Sequence, residues 1–236
     1  MFFFYMPNAI LIAAAVIPAL WLLRFVYKHD RLEAEPPQLL LSLVLQGVFA
    51  TTIAKLLERA GMWAVDLIAA PNTVLNSILL YFGVVAFAEE GAKYFLLRRR
   101  TWGIRDFNCR FDGVVYAAFV SLGFALWENI GYVFMYGMGT ALIRAVTAVP
   151  GHACFGVFMG CWYGQGFAWY RRGDDAKSKV CRTVAVVLPA LLHGAYDFLA
   201  AMTGEISEWY FVAFVALLFF VTFRVVGRLS REDYYI

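Results

Sequence analysis

The chain has 236 residues, of which 62% are hydrophobic and only 16% are charged. Soluble domains have roughly 45–50% apolar and about 25% charged residues, so a soluble chain of this composition could not cover its own core. The formal charge is only +3, and the Lys and Arg residues fall in short loops, which gives nucleic-acid binding little support. The sequence also contains no nucleotide-binding loop. Composition therefore excludes a Rossmann enzyme, a β-sandwich and a disordered tail protein, and it predicts a polytopic membrane protein.

Seven apolar runs of about 20 residues follow one another along the chain, and each is long enough to cross a bilayer as a helix. They lie near residues 8–26, 39–57, 75–97, 112–134, 149–170, 183–203 and 209–227. The predicted fold class is all-α, a membrane bundle of about seven transmembrane helices. Because the loops are short and no internal repeat is visible, residues 1–236 are predicted to form a single integral-membrane domain.

The basic residues are divided unequally between the two ends of this predicted bundle. Of the 20 Lys and Arg residues, 16 lie at the ends reached after spans one, three, five and seven, and three lie at the opposite end. Cytoplasmic loops carry the excess of Lys and Arg in membrane proteins. The amino terminus is therefore predicted outside the cell and the carboxyl terminus in the cytoplasm. The first run precedes its positive residues, an order that favours an anchor over a cleaved signal.

Ionisable side chains inside the spans are costly to insert, so each one is a candidate functional residue. Four successive spans contribute at least one. The set comprises Glu89, Glu90 and Lys93 in span three, Glu128 with Asn129 in span four, His152 in span five, and His193 with Asp197 in span six. Snorkelling from helix ends does not explain contributions from four helices. We therefore expect these side chains to converge.

Helical spacing indicates which of these groups can act together. Glu89 and Lys93 are four residues apart on one helix face, which predicts an ion pair. Glu90 is rotated by about 100° from Glu89 and can point elsewhere. His193 and Asp197 are also four residues apart, so the carboxylate can fix the imidazole tautomer or add a metal ligand.

Small residues recur every four positions on spans four and five, a pattern that permits close helix packing in membranes. The two stripes are Gly113, Ala117, Ser121 and Ala125 in span four, and His152, Gly156, Gly160 and Gly164 in span five. The second stripe leads directly to His152. Close contact between the two spans is therefore predicted beside this histidine.

Heights along the helices predict two levels of polar residues. Glu89 and His193 lie roughly 14–16 Å above the basic end, counted at about 1.5 Å per residue. Glu128 and His152 lie roughly 24–28 Å above it by the same count. A water-accessible cavity is predicted to join this lower and upper tier.

Glutamates that face histidines in a wet cavity suit the activation of water, because a carboxylate can remove its proton while imidazoles hold a metal or stabilise an oxyanion. Hydrolysis is the reaction predicted, although neither an HExxH nor a GxSxG motif is present. Structural alternatives remain. Glu89 with Lys93 can be a buried ion pair, His152 an interfacial histidine, and His193 with Asp197 a clip between helices. Glu128 has no adjacent cation in its span, which weakens a purely structural role for it.

Short motifs on four spans add a family resemblance. EEGAK at Glu89–Lys93 matches an EExxK motif, FALWEN at Phe124–Asn129 resembles FxxxE(N), HGAYD at His193–Asp197 resembles HxxxD, and His152 lies in PGHACFG. With the acidic, Pro-containing segment DRLEAEPPQLL at residues 30–40, the chain resembles the PrsW family of bacterial intramembrane proteases. That family is distantly related to the CAAX prenyl endopeptidases. The resemblance covers about residues 24–205.

This resemblance implies a multi-pass protease of the bacterial inner membrane that cleaves a single-span membrane protein, such as an anti-sigma factor in a stress pathway. The implied catalytic residues are Glu89, Glu90, Glu128, His152 and His193, with Lys93, Asn129 and Asp197 in support. Zinc is the candidate cofactor, and the implied ligands are His152, His193 and Glu128. A metal-free mechanism, with glutamate as general base and His and Asn as oxyanion donors, stays open. No nucleotide or nucleic-acid partner is expected, from the charge distribution and the missing nucleotide-binding loop.

Two further functions fit the same residues. An ion-coupled transporter also places Glu, His and Asp relays inside its spans, although this chain shows no inverted repeat. Substrate flux that depends on Glu90 without proteolysis would favour transport. A non-catalytic scaffold would use the pocket to hold a partner helix, and function retained after Glu90→Gln and His193→Ala would favour it.

Overall fold

The computed structural model describes residues 5–236, and these residues form long helices with no β-strand among them. The helices are α1 (Tyr5–His29), α2 (Pro37–Asp66), α3 (Val74–Thr101), α4 (Asp112–Val146), α5 (Ala148–Arg171), α6 (Asp175–Ala201) and α7 (Glu205–Arg231). A single isolated bridge joins Cys109 to Tyr235 within this part of the chain. The predicted all-α class is confirmed.

Six of these helices, α2 to α7, are long and apolar enough to cross a membrane. The first helix, α1, has 25 residues, or about 37 Å of helix, which is also sufficient for a bilayer core. The predicted polytopic bundle is confirmed, while the orientation of its two ends stays a prediction. We call the end that carries 16 of the 20 Lys and Arg residues the basic end.

The helices extend beyond the predicted spans because hydropathy marks the segment that lies in lipid, whereas backbone hydrogen bonds and caps mark the helix. α2 continues to Asp66, so much of the stretch that follows the predicted span belongs to the helix. α6 begins at Asp175 because the Asp174 side chain accepts a hydrogen bond from the Lys177 N–H at 3.0 Å and so caps the helix. α5 begins before Pro150, and proline is tolerated there because the first turn needs no N–H donor.

Helix α4 is at the centre of the bundle and contacts α1, α2, α3 and α5. Of its most apolar stretch 78% is buried inside the protein, against 22% for α7. Large aromatic side chains such as Tyr116 and Phe124 are fully buried on it. Polar residues in this buried stretch, such as Ser121 and Asn129, therefore face the interior of the protein.

The predicted close contact between spans four and five is confirmed. A Cβ atom at Gly160 would lie 2.3 Å from the Gly113 carbonyl oxygen, and one at Gly156 would lie 2.7 Å from the Ser121 Cβ. Only glycine permits so close an approach of the two backbones. This contact fixes α5, and with it His152, against α4.

Candidate active site

The buried Lys93 ammonium group links two helices at the site. Its Nζ lies 2.8 Å from Glu90 Oε1, 3.4 Å from Glu89 Oε2 and 3.0 Å from His152 Nδ1. A lysine ammonium has three N–H donors and no acceptor, so these three contacts use all of them. The predicted Glu89–Lys93 pair is present, but Glu90 is the closer partner.

These contacts determine the tautomer of His152. Because Lys93 can only donate, His152 Nδ1 accepts, and the ring proton lies on Nε2. Nε2 faces Glu128 Oε2 at 3.1 Å. The backbone of the histidine is held in turn, since Ser121 Oγ on α4 donates to the His152 carbonyl at 2.6 Å.

His193 approaches the same carboxylates from α6. Its Nδ1 lies 2.9 Å from Glu90 Oε1, and its Nε2 lies 3.4 Å from Asp197 Oδ2 and 3.9 Å from Glu89 Oε2. The Phe155 ring stacks on the imidazole at 4.8 Å with an interplanar angle of 18°. Carboxylate oxygens at both nitrogens favour the imidazolium form, which can give up a proton.

Glu128 has a basic partner that the sequence did not predict. Arg144 Nη2 lies 2.5 Å from Glu128 Oε2, and Arg144 Nε donates to Asn129 Oδ1 at 3.1 Å. The prediction that Glu128 lacks an adjacent cation is therefore wrong. Arg144 reaches Glu128 because α4 extends beyond residue 134, the predicted end of the span, and breaks at Gly137, where φ is +79°. Glycine adopts this left-handed conformation readily, and the residues after it return toward Glu128.

The two predicted tiers are in direct contact, through the bonds of His152 to Glu128 and to Lys93. The predicted heights of the two tiers were wrong because they were counted from helix ends that do not lie at the same level. The Thr101 hydroxyl at the end of α3 lies 2.7 Å from the Tyr163 hydroxyl of α5. α5 then continues to Arg171, about two turns further, so counting from Arg171 overestimated the height of His152.

An α-to-π transition in α3 precedes the acidic pair. Leu79–Val85 form a π-helical segment that ends four residues before Glu89, and such segments are frequent at functional sites. In this segment Phe82 packs against Gly194, where an added Cβ would lie 2.6 Å from the phenyl ring. The contact holds α3 against α6 beside His193.

A cavity of about 200 Å³ lies beside these side chains, large enough for several water molecules. Its polar lining comprises Lys55, Glu58, Tyr81, Glu89, Glu128, Tyr132, Arg144, His152, His193, Tyr196 and Asp197. A groove of about 730 Å³ between α2 and α4 adjoins it, because Lys55, Glu58, Glu128 and Tyr132 line both spaces. Glu89 faces the cavity, whereas Glu90 is not part of its wall.

Four residues at the site have the donor chemistry for a metal ion. One ligand atom from each of Glu89, Glu90, His152 and His193 lies within 4.8 Å of the others. Zinc accepts imidazole nitrogen and carboxylate oxygen ligands. Glu90 Oε2 is buried without a hydrogen-bond partner among residues 5–236. The donor set fits zinc, and it includes the acidic pair where the sequence analysis expected Glu128.

Sequence reasoning missed Arg144 and Phe155. Arg144 is one of only three Lys and Arg residues near the end opposite the basic end. That scarcity could have indicated a functional role for it. Phe155 follows His152 by three residues on α5, a spacing that places both on one helix face. Its contact with His193 depends on how α5 and α6 pack, which spacing alone does not give.

Carboxylates and imidazoles that meet beside a cavity inside a membrane bundle define the class of intramembrane hydrolases. A sequence profile described as "PrsW family intramembrane metalloprotease" matches residues 35–225. That range includes every candidate site residue named above. The chain belongs to the PrsW family of intramembrane metalloproteases.

Named relatives agree with this assignment. The chain is 32% identical over 216 residues to Protease PrsW of Bacillus subtilis (strain 168), covering 91% of this chain and 93% of the relative. It is 35% identical over 219 residues to Protease PrsW of Geobacillus kaustophilus (strain HTA426), covering 92% and 91%. The comparison with solved structures finds no match. The protein is thus a multi-pass protease of the bacterial inner membrane that acts on a protein substrate.

Proposed function

We propose that this protease hydrolyses a peptide bond of a single-span membrane protein in the cavity beside Glu89, His152 and His193. The main support is that ionisable side chains of α3, α4, α5 and α6, joined by Lys55 and Glu58 of α2, line one space large enough for water. An anti-sigma factor of a stress pathway is the substrate class that the family resemblance implies. Of the eight site residues predicted from the sequence, some would face the substrate and the others would position those residues.

The groove between α2 and α4 offers a lateral route for the substrate. Its wall is largely apolar and includes Leu56, Met62, Trp127 and Met135, which suit a hydrophobic membrane segment. The groove meets the cavity at Glu128. A substrate helix that unwinds there can present its backbone to the site, where polar groups replace its lost hydrogen bonds.

Glu89 is the proposed general base. It lines the cavity, and its 3.4 Å contact is the longest of the three that Lys93 makes. It would take a proton from the attacking water. In the metal-free mechanism, the His193 imidazolium, whose Nε2 lies 3.9 Å from Glu89, would give a proton to the leaving amide nitrogen. With zinc bound His193 is neutral, and Glu89 would instead return to the leaving nitrogen the proton that it took from water.

Oxyanion stabilisation is assigned to the opposite wall of the cavity. His152 Nε2–H and the Arg144 guanidinium both face Glu128, and either can donate to the oxygen that becomes charged in the transition state. Asn129 accepts from Arg144 and so positions it. Glu128 holds both donors in place until the substrate arrives.

Glu90 is proposed as a positioning residue. Its Oε1 contacts both Lys93 at 2.8 Å and His193 at 2.9 Å. It therefore fixes the distance between the cation of α3 and the imidazole of α6. Asp197, 3.4 Å from His193 Nε2, orients the same ring from its other side.

Glu89, Glu90, His152 and His193 would hold a zinc ion in the metal-dependent form of the mechanism. When bound there, zinc would supply Lewis-acid polarisation of the peptide carbonyl. Histidine ligands bind metal in the neutral form, so zinc binding is expected to release protons. Lys93 already contacts three of the four residues, and it would balance the negative charge of the acidic pair.

The proposal is tested with the purified full chain in proteoliposomes that contain a panel of single-span proteins. We expect at least one to be cut within or beside its membrane segment, as mapped by mass spectrometry of the products. A chelator should stop cleavage and added zinc should restore it. His193→Gln should abolish cleavage, whereas Glu208→Gln, an exposed change on α7, should not. Cleavage that persists in His193→Gln would contradict the proposal.

Cleavage that survives complete zinc removal, verified by elemental analysis, would leave the protease role intact. It would overturn the zinc assignment in favour of the metal-free mechanism.

A further inference from the structure

A second group of carboxylates lies at the basic end, away from the active site. Asp30 and Glu35 belong to the connection between α1 and α2, and Asp112 is the first residue of α4. One oxygen from each lies within 4.8 Å of the others. Glu35 is 3% exposed and Asp112 is 1% exposed. About 24 Å of helix separates Asp112 from Glu128, so this group cannot share ligands with the active site.

Several oxygens of this group are buried with no hydrogen-bond partner among residues 5–236. They are Asp30 Oδ1, Asp30 Oδ2, Glu35 Oε2, Asp112 Oδ1 and, from the tail beyond α7, Asp233 Oδ2. Among the described residues, no ion pair includes any of these four carboxylates. Buried charges without a partner are strongly unfavourable, so the arrangement calls for a positive ligand.

Backbone hydrogen bonds hold one oxygen of Asp112 and one of Asp233. Asp112 Oδ2 accepts the N–H groups of Asn108 at 2.9 Å and Cys109 at 2.7 Å. Asp233 Oδ1 accepts the Phe111 N–H at 2.9 Å. The second oxygen of each carboxylate is thereby left for another partner.

We propose that Asp30, Glu35 and Asp112 bind a hard divalent cation, Mg²⁺ or Ca²⁺. Carboxylate oxygens alone are the donors that these ions prefer, whereas zinc and copper favour nitrogen or sulfur. Asp233, whose Oδ1 accepts the N–H of Phe111 next to Asp112, is a fourth potential ligand. The ion would join the α1–α2 connection, the start of α4 and the C-terminal tail.

The electrostatics of the group agree with this assignment. Burial, reinforced by Asp233 and Glu33, raises the pKa of Asp30 to about 7. Burial and the Asp112 carboxylate raise the pKa of Glu35 to about 8. Protons therefore compete with the cation for the same oxygens, and binding experiments belong at a pH above these values.

The cation would secure the C-terminal tail. Ile236 N–H donates to the Asn108 carbonyl at 2.7 Å, and Arg110 N–H donates to the Tyr234 carbonyl at 3.2 Å. Both bonds attach the tail to the segment just before Asp112. Cys109, in the same segment, is fully buried, so the reactivity of its thiol reports on whether the tail is in place.

Terbium luminescence tests the site directly, because Tb³⁺ replaces hard cations and buried Tyr116, beside Glu35, can sensitise it. The full chain in detergent, at a pH above 8, should show saturable Tb³⁺ emission that Ca²⁺ or Mg²⁺ displaces. The stronger competitor identifies the natural class of ion. Glu35→Gln and Asp112→Asn should weaken Tb³⁺ binding by about tenfold or more. Glu208→Gln, an exposed change on α7, should not.

Alkylation of Cys109, measured by peptide mass spectrometry, is the second readout. The competing cation should slow it, and a chelator should speed it. Emission that neither Ca²⁺ nor Mg²⁺ displaces, or that Glu90→Gln removes and Glu35→Gln leaves unchanged, would overturn the proposal. So would Cys109 alkylation that is indifferent to cations, since the group would then hold only protons. If Asp112→Asn does not fold, the wild type and Glu35→Gln decide the question.

Discussion

Lys93 shows how one side chain can depend on partners from separate helices. Its three N–H donors contact Glu89, Glu90 and His152. Its Nζ also lies 4.0 Å from the Phe124 ring centroid. A planar guanidinium has a different donor geometry and would not reproduce these three contacts from one nitrogen. The lysine is thus expected to contribute to stability as well as to the site.

Replacing Lys93 by Met is predicted to destabilise the protein by about 3–5 kcal/mol, because it leaves buried carboxylates without a counter-charge. Glu90→Gln in the same chain should recover part of this loss, with a coupling of roughly 0.5–3 kcal/mol. Reversible unfolding in mixed micelles measures both values. Additive losses in the double variant would show that the two side chains do not interact.

The sequence did not predict a role for Arg144. Substitutions that change its charge or its shape test that role. Arg144→Gln is predicted to lower kcat by about 10²–10³-fold, the usual cost of removing an oxyanion donor. Arg144→Lys should retain part of the activity, because it keeps the charge but loses the second contact, to Asn129. Arg144→Gln with the kcat of the wild type would remove this residue from the mechanism.

Hydropathy predicted the seven apolar runs that form the helices, and it predicted which of these helices carry the site residues. Those features are local, since they depend on insertion of apolar side chains into lipid. The break at Gly137 and the π-helical segment Leu79–Val85 were not predicted, because hydropathy does not mark departures from α-helical backbone geometry. Arg144 was missed for that reason, and the relative heights of α3 and α5 were misjudged.

A single methyl group added at the contact between α4 and α5 is predicted to destabilise the protein. In Gly160→Ala the Cβ would lie 2.3 Å from the Gly113 carbonyl oxygen and 2.4 Å from the Val114 Cα. Backbone atoms cannot rotate away, so the helices must separate, at a cost of about 1–3 kcal/mol. Thermal unfolding and cleavage assays should both show a loss. Gly91→Ala is the matched control, since its Cβ meets nothing within 4 Å.

The proposed reaction requires a membrane-bound substrate to reach the interior of the bundle from the side. Gly131 lines the groove between α2 and α4, and an added Cβ there meets nothing within 4 Å. Gly131→Phe is therefore predicted to fill the groove and raise KM for a single-span substrate by about tenfold, an amount equal to roughly 1.4 kcal/mol of binding. Unfolding should not change.

Gly139→Phe is the control for this prediction, because it adds the same bulk to α4 outside the lining of the groove. KM values are compared in proteoliposomes with one fluorescent substrate. Equal KM values for Gly131→Phe and the wild type would show that substrates enter elsewhere.

The central claim is that polar side chains of four helices form one site where water attacks a peptide bond. Single-turnover cleavage of a reconstituted single-span substrate by Glu89→Gln tests it most directly, with intact folding checked by thermal unfolding. Loss of the proposed general base should slow the chemical step by about 10²–10⁴-fold, while the substrate still binds. Wild-type cleavage at the same bond by a folded Glu89→Gln protein would contradict it.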